Sequence, residues 1–323
     1  MQDPIIPDGE NEGLEHEKDG VDRRGFLKCM AWAGTGLIWT AAGGVFSSRV
    51  FGQEAGRKSA GGFSFVQISD SHIGFNKGTY KEVVTTLQET VAKINALPQR
   101  PDFLLHSGDL THLSTAKEFD TVSEILKSAK VGTIFCVPGE HDIIGDGQEY
   151  MNRFGKGSKG DGWYSFDHHG VHFIGLVNVA SQGTDKGLGI LGKEQLDWLK
   201  ADLAGRTSNT PVVVFAHVPL WSVYPQWGWG TEDGQQALSY LKPFGSVTVL
   251  NGHIHQTLQK VEGNVTFHTA RSTAFPQPAP GKAPAPGPMK DVPAEKLRAM
   301  LGLTSVNYVV GRKPLAVVDS TLG

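Results

Sequence analysis

Two cysteines in 323 residues rule out a disulfide scaffold. Cys29 falls in an N-terminal segment of different composition from the rest, so Cys136 stands alone and is expected as a small buried hydrophobe in a strand over 133–137. Long apolar runs are scarce as well. The uncharged stretch 29–46 has eighteen residues, six of them Gly or Thr, at the short and weakly apolar limit for a membrane span, and no later segment qualifies. An excess of one charge is also missing. The net charge is −3, but residues 1–53 hold 8 acidic and 5 basic side chains, and the remainder holds 25 of each. Such a neutral body has no electrostatic footprint for tracking nucleic acid. There is no internal repeat.

What is present begins with glycine and proline, 41 and 17 residues, many placed where connections are expected. Loops on a rigid scaffold then carry the chemistry. The length suits one catalytic domain over 61–323. Residues 1–20 are acidic and turn-rich without hydrophobic period and are expected to be disordered. Residues 21–55 contain Asp22-Arg23-Arg24-Gly25-Phe26-Leu27-Lys28 followed by the modestly apolar stretch, which resembles a bacterial twin-arginine signal. Composition favours export over an uncleaved anchor. The resemblance implies the twin-arginine export machinery as a partner, a periplasmic or otherwise extracytoplasmic location, and no stable membrane span after processing. No Ala-x-Ala cleavage site follows; Val50-Phe51-Gly52 is the nearest candidate.

Hydrophobic periodicity predicts a strand over 63–69, a helix over 79–97 with Val83, Leu87, Val91 and Ile94 on one face, and a strand over 102–106. A helix over 115–130 and a strand over 133–137 follow. A hairpin is expected from 163–167 and 171–178, then a helix over 193–203 and buried strands over 212–216 and 247–250. Two more hairpins pair 258–261 with 265–269 and 306–310 with 315–318. Residues 276–293, with seven prolines, are expected to form a long loop. The alternation predicts an α/β fold of two stacked mixed β-sheets flanked by helices.

Five short motifs end strands: Asp70-Ser71-His72, Gly108-Asp109, Gly139-Glu140-His141-Asp142, His217 and Gly252-His253-Ile254-His255. Ligands of open α/β sheets bind beyond the carboxyl ends of strands, so residues distant in sequence can converge there. Asp70, Asp109 and Glu140 with His72, His141, His217, His253 and His255 form the donor inventory of a two-metal hydrolytic centre. Asp109 is expected to bridge two ions through its two oxygens. Any one of these motifs alone is weak; their order and placement are specific.

Together the motifs resemble the calcineurin-like metallophosphoesterase family, whose pattern is Asp-x-His, Gly-Asp, Gly-Asn-His-(Asp/Glu), His and Gly-His-x-His. The resemblance covers about residues 63–270 and implies a four-layer sandwich. By it, one metal would be held by Asp70, His72, Asp109 and His255, and a second by Asp109, Glu140, His217 and His253. His141 would contact phosphate or protonate the leaving oxygen, with Asp142 orienting it. The activity implied is hydrolysis of phosphomonoesters or phosphodiesters of a small phosphorylated substrate, by attack of a hydroxide held between two metals.

Glu140 departs from that pattern, which has asparagine. A glutamate adds a negative charge and can bind through one or two oxygens, which favours iron(III) with a divalent ion, or manganese, over a zinc pair. Trp221, Tyr224, Trp227 and Trp229 follow His217 and could stack on a flat leaving group, so small diesters or nucleotides are preferred. Nucleotide-sugar or lipid head-group hydrolysis, and a non-catalytic metal-binding protein on the same scaffold, are the alternatives. His112 is a candidate substrate contact or support, Arg271 a candidate phosphate contact, and His168, His169 and His172 are expected to be surface or packing residues.

Overall fold

The computed structural model describes residues 36–42, 45–51, 62–179, 188–290, 292–310 and 315–323. Residues 1–58 and 59–323 form two units. In the first, β1 (Gly36–Ala42) and β2 (Val45–Phe51) pair antiparallel. The leader expected over 1–20 and the Arg23-Arg24 pair lie outside the described residues, as does much of the segment 21–55. No helix among the described residues is long and apolar enough to cross a membrane.

In the second unit, apolar runs of period two become strands whose alternate residues face opposite ways. β3 (Phe63–Ile68), β4 (Phe103–His106) and β5 (Thr133–Cys136) run parallel, and β12 (Gly302–Tyr308) and β13 (Ala316–Thr321) extend them antiparallel in the order β13-β12-β3-β4-β5. The second sheet is six-stranded. It comprises β6 (Tyr164–His168), β7 (Val171–Gly175), β8 (Val212–Phe215), β9 (Val247–Asn251), β10 (Leu258–Glu262) and β11 (Val265–Thr269), in the order β10-β11-β9-β8-β7-β6. Both sheets are mixed, as expected. The tip of the last hairpin, 311–314, lies outside the described residues.

Phe65, Phe103 and Leu105 of one sheet pack on Phe173, Val213, Phe215 and Leu250 of the other, all fully or nearly buried. Phe65 and Phe103 stack at 4.8 Å, and Phe173 stands edge-on to both. The intervening residues Val66, Ile68 and Leu104 face outward onto α1 (Val83–Asn95) and α2 (Ala116–Lys127). Val212, Val214 and Val249 face α4 (Gly192–Leu203) and α5 (Gly234–Leu241). The result is the four-layer order of helices, sheet, sheet and helices.

Local chemistry sets the helix ends. Thr115 and Glu118 form a reciprocal capping box, each side chain accepting the other's backbone N–H, and this starts α2. The helix expected from residue 79 begins at Val83, because Lys77 and Tyr80 close a bridge first. Three short helices were not expected: α3 (Gln148–Phe154), α5 and α6 (Ala294–Met300). With only two turns each, their apolar spacing is too brief to declare a period. The Pro-rich stretch is irregular, as read, and Cys136 is buried and free.

Candidate metal centre

β3, β4, β5, β8 and β9 all deliver their motif at the same end of the two sheets. Just past the strands the backbone turns left-handed: Asp70, His72, Asp109, His253 and His255 have φ between 41° and 69°. Asp and His tolerate this region better than most residues, and such strain concentrates at functional sites. In both Asp70-x-His72 and His253-x-His255 it turns alternate side chains toward one space. Backbone bonds lock the loops together, with Asp70 N–H donating to the Gly108 carbonyl, His72 N–H to the Asp109 carbonyl and Gly252 N–H to the His217 carbonyl. Gln67 crosses between the sheets, donating to Ser107 Oγ and the Asn251 carbonyl.

Two groups of donors result. In the first, His72 Nε2 lies 3.2 Å from His255 Nε2 and 3.4 Å from Asp109 Oδ2, and His255 Nε2 lies 3.2 Å from Asp70 Oδ1. In the second, His217 Nε2 lies 3.4 Å from Asp109 Oδ2, 3.0 Å from Glu140 Oε2 and 3.3 Å from His253 Nδ1, with His253 Nδ1 3.1 Å from Glu140 Oε1. Ligand atoms sharing an ion at bonds of about 2.0–2.2 Å stand about 3–3.5 Å apart, so both groups have the spacing of a coordination sphere. Glu140 Oε2 argues the same way, being buried with no hydrogen-bond partner, an expensive state that a cation there would relieve. The far nitrogens of two imidazoles are already oriented: His217 Nδ1–H donates to the Ser107 carbonyl at 2.8 Å and His255 Nδ1–H to the Phe275 carbonyl at 2.6 Å. This arrangement turns Nε2 of each toward the centre. The residues present therefore fit two metal ions.

Asp109 serves both groups through one atom, not two. Its Oδ2 faces His72 and His217, while Oδ1 accepts the His141 N–H at 3.0 Å. Gly139 makes this possible, since a Cβ there would stand 2.1 Å from Oδ1.

Asp142 corrects the expectation that it orients His141. Its fully buried carboxylate accepts N–H groups of Leu110, Thr111 and Gly139 and the Thr111 hydroxyl, clamping the loop after β4 to the loop after β5. Burial first, then the charge of Asp109, lifts this carboxyl to about 7 against those donors. His141 is oriented instead by its Nδ1–H, which donates to the His112 carbonyl at 2.8 Å, and by a parallel stack on the His112 ring at 4.6 Å. His112 is thus a support for His141.

Without ions, the carboxylates are countered by a protonated imidazole. Burial opposes a charged His217, but Asp109 and Glu140 hold its pKa well above the usual imidazole value. His72 goes the other way, pushed down to about 3 chiefly by burial, and so is neutral. Despite burial, His253 and His217 keep the Glu140 carboxyl well below its ordinary range.

Beside the second group lies a cleft of about 320 Å³, bounded by Glu140, His141 and His253 at its floor and by Trp227, Trp229 and Pro286 among its walls. Of the four aromatics expected near it, Trp227 and Trp229 line it, edge-to-face at 5.1 Å, while Trp221 packs on Phe267 and Lys260 instead. Arg271 does not reach the cleft; it donates to Thr257 Oγ1 and the Ala299 carbonyl. The sequence reading missed Phe275, stacked on His72 at 4.8 Å, and Gln277, whose Nε2 donates to the His253 carbonyl. A Phe and a Gln flanking a Pro-rich run carry no metal-site signal of their own. His172 is buried between Asp167 and Asp202 as a packing residue.

Comparison with known proteins agrees with this geometry. Residues 63–257 match the calcineurin-like phosphoesterase family. A protein of Ruthia magnifica subsp. Calyptogena magnifica named "probable cyclic nucleotide phosphodiesterase" is 28% identical over 218 residues, 66% of this chain and 86% of its own length. A glycerophosphodiester phosphodiesterase of Enterobacter lignolyticus is 24% identical over 223 residues, 65% of this chain and 77% of its own. The crystal structure of a dimetal phosphatase from Danio rerio superposes with a TM-score of 0.54 at 15% identity, covering 81% of this chain and 99% of that one.

The charge balance among these donors sets the linkage of metal binding to pH. His217 holds a proton near neutrality in the metal-free protein, so an ion must displace it, and lowering the pH strengthens the proton's competition. Calorimetric titration of metal-free protein with manganese, in buffers of different ionisation enthalpy, should record proton release at neutral pH and weaker binding as pH falls. Binding without proton release, and independent of pH, would contradict this.

Proposed function

The chain belongs to the calcineurin-like phosphoesterase family and is a metal-dependent hydrolase of phosphoric esters, and from that premise we propose that its substrates are small phosphodiesters bearing a flat or apolar alcohol. The cleft carries this reading. Trp227, Trp229, Val179, Leu188, Val218 and Pro286 form apolar wall beside the donors, and among the described residues that line it there is no lysine or arginine. A monoester dianion left to the metals alone would need a strongly positive centre. Asp70, Asp109 and Glu140 offset three of the four charges of a manganese pair, or three of the five where one ion is iron(III), and the small remainder suits a monoanionic diester better.

Asp70, His72, Asp109 and His255 would hold one ion, and Asp109, Glu140, His217 and His253 the other. When bound, the pair supplies Lewis-acid charge on phosphoryl oxygens and an acidified water. The protein's own groups do the rest. Since Nδ1–H of His141 is committed to the His112 carbonyl, its Nε2 is the ring atom available to the cleft, where it meets the departing oxygen and gives it a proton. Trp227, half-buried at the cleft wall, offers a ring face for the leaving group. Trp229, almost fully buried behind it, fixes that face.

Glu140 sets the choice of metal in this reading. Its two oxygens face two different imidazoles, a placement that lets the carboxylate embrace one ion. The added negative charge favours iron(III) paired with a divalent ion, or manganese, over zinc alone. The leader supports export by the twin-arginine route to an extracytoplasmic compartment, on the strength of Arg23-Arg24-Gly25-Phe26-Leu27-Lys28 and the uncharged stretch after it.

Three measurements test these assignments. Trp227→Ala should raise KM for aryl or nucleoside diesters about 5- to 100-fold, the worth of one stacked ring, while leaving methyl diesters nearly unchanged; equal effects on both would remove the aromatic role. Metal analysis of protein matured in its native host should find iron or manganese, and Glu140→Asn should shift the content toward zinc; stoichiometric zinc with full activity in the unaltered protein would contradict the charge argument. Replacing Arg23 and Arg24 by lysine should retain the protein in the cytoplasmic fraction, whereas unaltered fractionation would dismiss the export reading.

A further inference from the structure

At the opposite end of the two sheets, where β4 begins and where β6 turns into β7, three side chains converge without any part in the chemistry above. Asp102 precedes β4 and belongs to the five-stranded sheet's side. His168 and His169 belong to the turn of the β6–β7 hairpin in the six-stranded sheet. One ligand atom from each lies within 4.8 Å of the others.

The geometry of each donor is fixed by its neighbours. His168 stands edge-on to Phe63 at 4.7 Å and to Phe103 at 5.2 Å, which holds its ring plane. Its Nε2 is buried and has no hydrogen-bond partner, yet it points to Asp102 Oδ1 at 3.8 Å. That separation is too long for a hydrogen bond and close to the spacing of two ligands around one ion. Asp102 is anchored by its other oxygen, Oδ2, which accepts the Ser64 N–H at 3.2 Å. The two-residue turn pairs His168 with Val171 and places His169 and Gly170 at φ 48° and 80°. This is the left-handed pair of a type I′ hairpin, a position where Asn or Gly is usual. Its backbone brings the His169 ring to 4.5 Å from that of His168. Burial and His169 lower the pKa of His168, so its imidazole is neutral near pH 7 and its lone pair is available.

We propose that Asp102, His168 and His169 form a separate mononuclear site for a divalent ion of the zinc class. Two imidazoles and one carboxylate are the donor set of such ions, and three protein ligands leave a position for water. Bound there, the ion ties the β6–β7 turn of one sheet to the start of β4 in the other. It would act as a staple between the sheets at the end remote from the dinuclear centre.

The test compares untagged full-length protein with a His168→Phe/His169→Asn variant after equilibration with zinc in modest excess. Phe keeps the ring contacts with Phe63 and Phe103, and Asn accepts the left-handed backbone. The unaltered chain should retain one more equivalent of zinc than the variant and gain thermal stability from zinc that the variant lacks, with ester hydrolysis the same in both. Asp102→Asn, which can still accept from Ser64, should behave as the double variant does and replaces it if that variant does not fold. Equal zinc content in the unaltered and substituted chains would overturn the proposal. The readout is a difference between two chains, so it holds whatever number of ions the catalytic centre carries.

Discussion

One carboxylate oxygen, Oδ2 of Asp109, stands 3.4 Å from Nε2 of both His72 and His217, and the surrounding loops hold it there. A buried acid with imidazoles on two sides gains from them only if its own position does not relax. Three devices prevent relaxation. Oδ1 is held by the His141 N–H, the absence of a Cβ at Gly139 lets the strands' ends approach, and Asp142 gathers the N–H groups of Leu110, Thr111 and Gly139 around one buried carboxylate. Two groups of donors, each drawn from strand ends of both sheets, thus share an atom.

The sandwich supplies the frame. The stacked pair Phe65 and Phe103, with Phe173 edge-on to both, keeps the sheets in register, and Gln67 ties β3 to the end of β9 beside the donors. Every donor follows a strand by one to a few residues, so packing of the aromatic layer is transmitted to ligand positions through short turns, left-handed at Asp70, His72, Asp109, His253 and His255. That layer has no chemical role of its own, yet a loss of register there would separate Asp70 and Asp109 from His217 and His253.

Much of this was legible in the chain. Period-two apolar runs located the strands, and donors at strand ends located the centre, because both are local properties of a few residues. The use of one oxygen of Asp109 for both donor groups was not, since it depends on which N–H occupies Oδ1. Asp142 reads like a partner for adjacent His141, but its side chain turns inward to three backbone amides, a choice made by the loop after β4. Phe275 and Gln277 support the centre from beside a Pro-rich stretch with no periodicity. His168 and His169 read as surface or packing residues; only the hairpin turn sets them beside Asp102.

The shared oxygen is open to direct observation. Anomalous diffraction from crystals of the metal-loaded protein should show two peaks about 3.5–4 Å apart, one among Asp70, His72 and His255, the other among Glu140, His217 and His253, with Asp109 Oδ2 between them. A single peak, or two peaks with Asp109 bound to only one, would contradict a centre built around that atom.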